Sequence, residues 1–305
     1  MKPDLRVTIA GVEFANPVMT ASGCCGYGEE LARLYPLCRL GALVTKSITR
    51  APRLGHKPPR TAETASGMLN AIGLANVGID RFIAEKIPFL QQQDTRIIVN
   101  VAGSTLEEYV EVCARLADVP RVDMIELNIS CPNVSEGGIE IGSNPRLTEQ
   151  TVTAVKRVFP RPLVVKLSPN VTSIVPLAQA AAQGGADALS LINSLIGTAV
   201  DIETWRPRLT NNRGGLTGPA IKPVALAMVD AVYNACPLPI IAIGGIATAA
   251  DAVEFILCGA VAVQVGTALF VQPDTPLRIV DDLSSYLERK SLSSIDELRG
   301  KVRKY

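Results

Sequence analysis

The sequence predicts an α/β chain closed into a (β/α)8 TIM barrel with long insertions at its C-terminal face. Three observations carry this. Eight short runs rich in Val, Ile and Leu recur along the 305 residues, and runs this apolar suit strands buried on both faces. Helical patterns lie between them, the alternation expected of a parallel barrel. No GxGxxG follows the first run, which weakens an open doubly wound sheet as the competing arrangement. Such barrels reach about 250 residues or more as one unit, so residues 1–305 are read as a single domain.

The predicted strands are 17–22 (PVMTAS), 42–47 (ALVTKS), 96–103 (RIIVNVAG) and 123–130 (DMIELNIS), then 163–168 (LVVKLS), 187–193 (DALSLIN), 239–245 (PIIAIGG) and 261–267 (VAVQVGT). Each ends in small or polar residues. Ser104-Thr-Leu-Glu107 reads as a capping box opening the helix EEYVEVCARLAD. Helical spacing recurs over 151–159, 173–183 and 248–258, the last stopped by Gly259. Stretches 48–78, 131–147 and 194–219 show no periodicity and are expected to be irregular. All three leave the C-terminal ends of strands, where barrel enzymes keep their chemistry.

Composition excludes several classes. Hydrophobic residues make up 48% of the chain, too many for a disordered protein. Thirty basic against 29 acidic side chains leave a formal charge of +1, so no basic field points to nucleic acid or anionic membrane. No run of about 18 uncharged apolar residues is present, and the first residues do not read as a signal peptide. Seven cysteines, at 24, 25, 38, 113, 131, 236 and 258, form no CxxC pair. That argues against a disulfide framework or a metal site and fits a cytoplasmic location.

The strand ends carry the chemistry. Gly244-Gly245 and Gly266-Thr267 close the seventh and eighth strands, the two places where barrels commonly cradle a phosphate, although each is by itself an ordinary tight turn. Lys46 and Lys166 sit where strands finish. A lysine there either snorkels to solvent or meets an anion, and two on different sides of one mouth favour the anion. Asn70, Asn100, Asn128, Asn133 and Asn193 concentrate at strand ends and in long loops. Each could cap a turn, but an amide with one acceptor and two donors can also read a cyclic ureide edge. Cys131, in Asn128-Ile-Ser-Cys-Pro-Asn133, lies in a loop rather than on a helical face like Cys113 and Cys258. It suits a nucleophile or a proton-abstracting base. The one histidine, His56, lies in a Pro-rich loop far from it in sequence, which favours the base.

These residues together resemble a known family. ASG at 21–23, TKS at 45–47, NAIGLANVG at 70–78, NISCPNV at 128–134, VKLSPN at 165–170, INS at 192–194, LTGPA at 216–220, IGGI at 243–246 and VQVGT at 263–267 are similar, in the same order, to dihydroorotate dehydrogenases. Within that family the sequence most resembles the catalytic subunits of the NAD-linked class 1B. The resemblance implies an FMN-containing barrel that oxidises dihydroorotate to orotate in pyrimidine synthesis. It assigns FMN contacts to Ser22, Lys46, Ser47, Asn100, Asn128 and Lys166, and to Ile192, Gly218, Gly244, Gly245, Gly266 and Thr267. Substrate contacts fall on Lys46, Asn70, Ala71, Ile72, Gly73, Leu74, Asn128, Asn133, Asn193 and Ser194. Cys131 takes the position of the catalytic base, removing the C5 proton while a hydride leaves C6. No metal ligands are implied.

The subclass follows from departures. Class 1A enzymes, which pass electrons to fumarate, usually carry an NSMGLPN-like segment where this sequence has Asn70-Ala-Ile-Gly-Leu-Ala-Asn76, and class 2 enzymes use a serine where Cys131 stands. Class 1B implies a separate subunit carrying FAD and a [2Fe–2S] centre, and a homodimer of this chain within a heterotetramer. Against this stand a fumarate-linked class 1A enzyme, a related FMN barrel acting on another dihydropyrimidine, and a barrel kept only as a binding subunit. Cys24-Cys25 after ASG departs from relatives and has no account in the sequence.

Overall fold

The computed structural model describes residues 3–130, 138–303 and 305. Eight parallel strands close into a barrel: β1 (Val18–Thr20), β2 (Ala42–Val44), β3 (Arg96–Val101), β4 (Met124–Asn128), β5 (Leu163–Lys166), β6 (Ala188–Leu191), β7 (Ile240–Ile243) and β8 (Ala262–Val265). Neighbours in the ring follow chain order. Closure comes where β8 pairs β1, with Val263 opposite Val18 and Val265 opposite Thr20. The strands are mostly apolar because the barrel interior covers one face and helices the other, with Asn100, Glu126, Lys166 and Gln264 among the polar residues buried in them.

The long helices are α1 (Leu106–Ala117), α2 (Pro145–Val158), α3 (Val175–Gln183), α4 (Lys222–Tyr233), α5 (Ala249–Leu257) and α6 (Thr275–Arg289). Caps fix where several begin. Thr248 and Asp251 form a reciprocal capping box on α5, and Gly259 follows its end at φ +111°. The cap of α1 differs from the sequence reading by one residue. Thr105 is the cap, accepting from the Glu108 N–H at 3.3 Å, while Glu108 accepts from the Ser104 N–H at 2.7 Å. Glu108, not Glu107, is the glutamate three residues past the cap, and its carboxylate closes on the N–H of the residue before the cap rather than on that of Thr105. Helix α2 starts at Pro145, earlier than expected, because Asn144 caps it and proline suits the first turn.

Two of the loops expected to be irregular are not. Segments Thr61–Thr64, Gly67–Asn70, Leu195–Gly197 and Gly214–Thr217, drawn from the connections after β2 and β6, form one four-stranded antiparallel sheet. Asn70 stands opposite Gly215, and Leu69 opposite Leu216. Leu69, Ala71 and Leu209 give this sheet a small apolar core of its own. The strands are short and glycine-rich, so each by itself shows little alternation; they are strands because they pair with one another. The sheet walls one side of the mouth. Among the described residues no helix is long and apolar enough to cross a membrane.

Candidate active site

The C-terminal strand ends and the four-stranded sheet enclose a cavity of about 900 Å³. Ser22, Lys46 and Ser47 reach it from the ends of β1 and β2, Asn128 from β4 and Lys166 from β5. Ile192, Asn193 and Ser194 follow β6. Asn70, Ile72, Gly73 and Leu74 come from the sheet side, and Gly218, Gly244, Gly245, Gly266 and Thr267 complete the wall. Residues far apart in sequence thus line one space, because parallel strands all finish on the same face. Ala71 is buried in the small core, and Asn100 is fully buried inside the barrel, so neither is on the cavity wall. Cys131 and Asn133 lie outside the described residues.

Behind the wall runs a continuous polar network. Ser47 Oγ donates to Asn100 Oδ1 at 2.5 Å, and Asn100 Nδ2 donates to Glu126 Oε1 at 2.6 Å. Gln264 Nε2 donates to Glu126 Oε2 at 2.7 Å. Asn193 Nδ2 donates to Ser130 Oγ at 2.9 Å and to Asn128 Oδ1 at 3.3 Å, tying the end of β6 to that of β4. Tyr109 of α1 fixes β4 from outside, its hydroxyl donating to the Asn128 carbonyl at 2.9 Å. Such a network holds the amides of the mouth in one orientation.

The two lysines differ in their company. Lys166 Nζ stands 3.5 Å from Glu126 Oε1, both side chains buried. Lys46 is half-buried and has no ion-pair partner among the described residues. Burial holds its ammonium below the ordinary lysine range, and the nearby Arg60 charge adds to this. An unpaired cation in a cavity wall suits an anion.

The glycine pair fits the same ligand. Gly245 has φ +74°, and a Cβ there would meet the Lys222 Cβ at 2.7 Å and the Gly218 carbonyl at 3.0 Å. Only glycine fits, and it brings the backbone to the cavity surface. Among the described residues the N–H groups of Gly245 and Thr267 meet no acceptor. Unused backbone donors on residues that line a cavity with an unpaired lysine suit a phosphate group.

The cysteine pair now has an account. Cys25 is a buried thiol donating to Thr20 Oγ1 at 3.4 Å, and burial pushes its pKa up to about 12. Cys24 lies on the cavity wall, where burial outweighs Lys166 and Lys46 and raises it to about 11. Both remain thiols near neutral pH and pack as small apolar groups. Sequence reasoning missed Glu126 and Gln264, although each is a polar residue inside an otherwise apolar strand. The His56 ring packs against Gly73 of the cavity wall.

Comparisons with known proteins agree with this geometry. The family model for dihydroorotate dehydrogenase matches residues 4–287. A protein of Pelobacter propionicus, named dihydroorotate dehydrogenase B (NAD(+)), catalytic subunit, is 54% identical over 300 residues, covering 98% of this chain and 99% of its own. A protein of the same name from Alkaliphilus metalliredigens is 52% identical, covering 99% of both chains. Among solved structures, a dihydroorotate dehydrogenase of Eimeria tenella in complex with ferulenol superposes with a TM-score of 0.81 at 24% identity. It covers 98% of this chain and 88% of that one, and so supports the fold.

Proposed function

The chain belongs to the dihydroorotate dehydrogenase family, and from that premise we propose that its barrel mouth oxidises dihydroorotate to orotate as the catalytic subunit of an NAD-linked enzyme of pyrimidine biosynthesis. One observation carries the reading: an unpaired lysine, unused backbone donors and fixed asparagine amides share one cavity. The family implies FMN, and the residues fit it. Gly244, Gly245, Gly266 and Thr267 would hold the phosphate, with Gly218 beside them. Lys46, Lys166, Ser22, Ser47 and Ile192 would hold the rest, with Asn128 and, from behind, Asn100. FMN, when bound, supplies the acceptor for the hydride that leaves C6.

The chain's own residues do the remainder. Asn70, Asn128, Asn193 and Asn133, with Ser194 and the Ala71–Leu74 backbone, bind the substrate ring and fix its face, which replaces a chance encounter by a held geometry. Lys46 neutralises its carboxylate. Cys131 takes the C5 proton; this carbon lies beside a carbonyl, so a thiolate, with an ordinary pKa near 8.5, is basic enough. The loop sheet keeps bulk water from the reacting face.

The curated relatives named above favour the NAD-linked class over a fumarate-linked one. The name "catalytic subunit" fits a separate electron-transfer subunit. We assign FAD and a [2Fe–2S] centre to that partner, because no dinucleotide motif or four-cysteine spacing is found in the 305 residues. The assembly in this reading is a homodimer within a heterotetramer, working in the cytoplasm.

The test is a spectrum and an assay of the purified chain. The expected protein is yellow, releases FMN rather than FAD on denaturation, and bleaches with dihydroorotate but not with dihydrouracil. A colourless chain that takes up no FMN on reconstitution refutes the reading.

A further inference from the structure

Glu126 and Lys166 are the charged side chains that are buried among the described residues. Glu126 is fully buried, one layer below the cavity. Strands β4 and β8 face each other across the ring, so the 2.7 Å bond from Gln264 crosses the bore of the barrel. The other oxygen receives Asn100 Nδ2 at 2.6 Å and lies 3.5 Å from Lys166 Nζ. Both oxygens only accept, the pattern an ionised carboxylate satisfies.

A buried ion pair is weak evidence for stability, since apolar side chains of the same volume often serve as well or better. The position therefore needs a functional reason, and Lys166 supplies one. Lys166 lines the cavity, whereas Glu126 does not and lies 3.5 Å from its ammonium. A charge with its opposite 3.5 Å away projects a much reduced field. Lys46 has no such counter-ion among the described residues. The mouth thus presents one full positive charge and one largely offset.

We propose that Glu126 is a positioning residue for the flavin site. It holds Lys166 and Asn100 in place and, by offsetting the Lys166 charge, lowers the reduction potential of the bound flavin. The proposal rests on the FMN reading above. A bound flavin gains negative charge when reduced, so an uncompensated cation beside it would raise its potential. A lower potential keeps the electrons transferable to a weak oxidant such as NAD.

The experiment measures flavin midpoint potentials, by titration against reference dyes, for FMN-loaded wild type and four variants: Glu126→Gln, Lys166→Gln, the double variant and Gln264→Leu. Glu126→Gln is expected to favour the reduced flavin about tenfold, a rise of roughly 30 mV for a two-electron couple. Lys166→Gln should move the potential down. The double variant and Gln264→Leu, which leave the net charge unchanged, should both stay within about threefold of wild type, or roughly 15 mV. An unchanged or lowered potential in Glu126→Gln overturns the proposal, as does an equal rise in Gln264→Leu, which would assign the effect to packing. If Glu126→Gln yields no soluble chain, the double variant decides: a potential matching Lys166→Gln overturns the proposal. A wild type that binds no FMN overturns the flavin reading and this proposal together. A flavin-loaded wild type with a flat series overturns this proposal alone.

Discussion

Lys46→Met should act in opposite directions on the empty and the loaded protein. The substitution keeps most of the side-chain volume and removes a half-buried ammonium that has no ion-pair partner among the described residues. Burial, and then the like charge of Arg60, hold that ammonium below the ordinary lysine value of 10.5. Removing an unpaired, half-solvated charge should stabilise the flavin-free chain by about 1 kcal/mol, discounted from the several kcal/mol of a fully buried ion. That is a rise in Tm of roughly 1.5 °C for a chain of this size. The pH dependence has a definite sign. A base whose pKa falls on folding weakens the fold while it stays protonated, and this cost fades as pH rises through the depressed value toward 10.5. The Tm gap should therefore be widest near neutrality and narrow in alkali. The loaded protein should lose a charge-assisted contact worth about 1.5–3 kcal/mol, or roughly 10- to 100-fold in FMN affinity. Differential scanning fluorimetry from neutral to alkaline pH and fluorescence titration with FMN read both effects. A variant less stable than wild type when empty, with unchanged FMN affinity, would refute the reasoning.

Three further outcomes are expected. Cys131→Ser should slow stopped-flow reduction of the flavin by dihydroorotate by about 10²- to 10⁴-fold near neutrality, with the rate recovering as pH rises, since a hydroxyl is the weaker base; wild-type rates would remove Cys131 from the chemistry. Gly245→Ala, at φ +74° with Lys222 and Gly218 in the way, should cost about 2–4 kcal/mol in urea unfolding and weaken FMN retention. An unshifted midpoint would show the turn to be more tolerant than its geometry suggests. The isolated chain should reduce artificial acceptors with dihydroorotate but not NAD; robust NAD reduction without a partner would overturn the two-subunit electron route.

The barrel was legible because its strands are buried on both faces. Runs such as Ile97–Val99 and Leu163–Val165 need no partner to be recognised, and the residues that follow them, Asn100 and Lys166, stand out as polar. The loop sheet was not legible for the opposite reason. Thr61–Thr64 and Gly214–Thr217 carry little apolar signal, and their identity as strands lies in pairing, with the adjacent Gly67–Asn70 for the first and across about 145 residues of chain for the second. Most wall residues could be named from the family motifs, Lys46 and Gly245 among them. Glu126 could not, because a lone carboxylate in an apolar run reads as an interruption. Its period-two spacing to Asn128 was the signal that both face the barrel interior. The α1 cap went astray by one residue because Ser104 and Thr105 are both competent caps with glutamates in reach.

The seam between β1 and β8 has a consequence for how this protein is made in the cell. Val18 emerges from the ribosome early, yet its partner Val263 is among the last strand residues to appear. At translation rates of about 5–20 residues per second, the growing sheet keeps open edges for tens of seconds. An open edge of such apolar strands invites pairing with other chains. In the proposed reading the phosphate cradle is also unfinished until Gly266 and Thr267 arrive, so FMN would not rescue a nascent chain. Its early life therefore falls to chaperones, and truncation before β8 should yield aggregates rather than a smaller working enzyme.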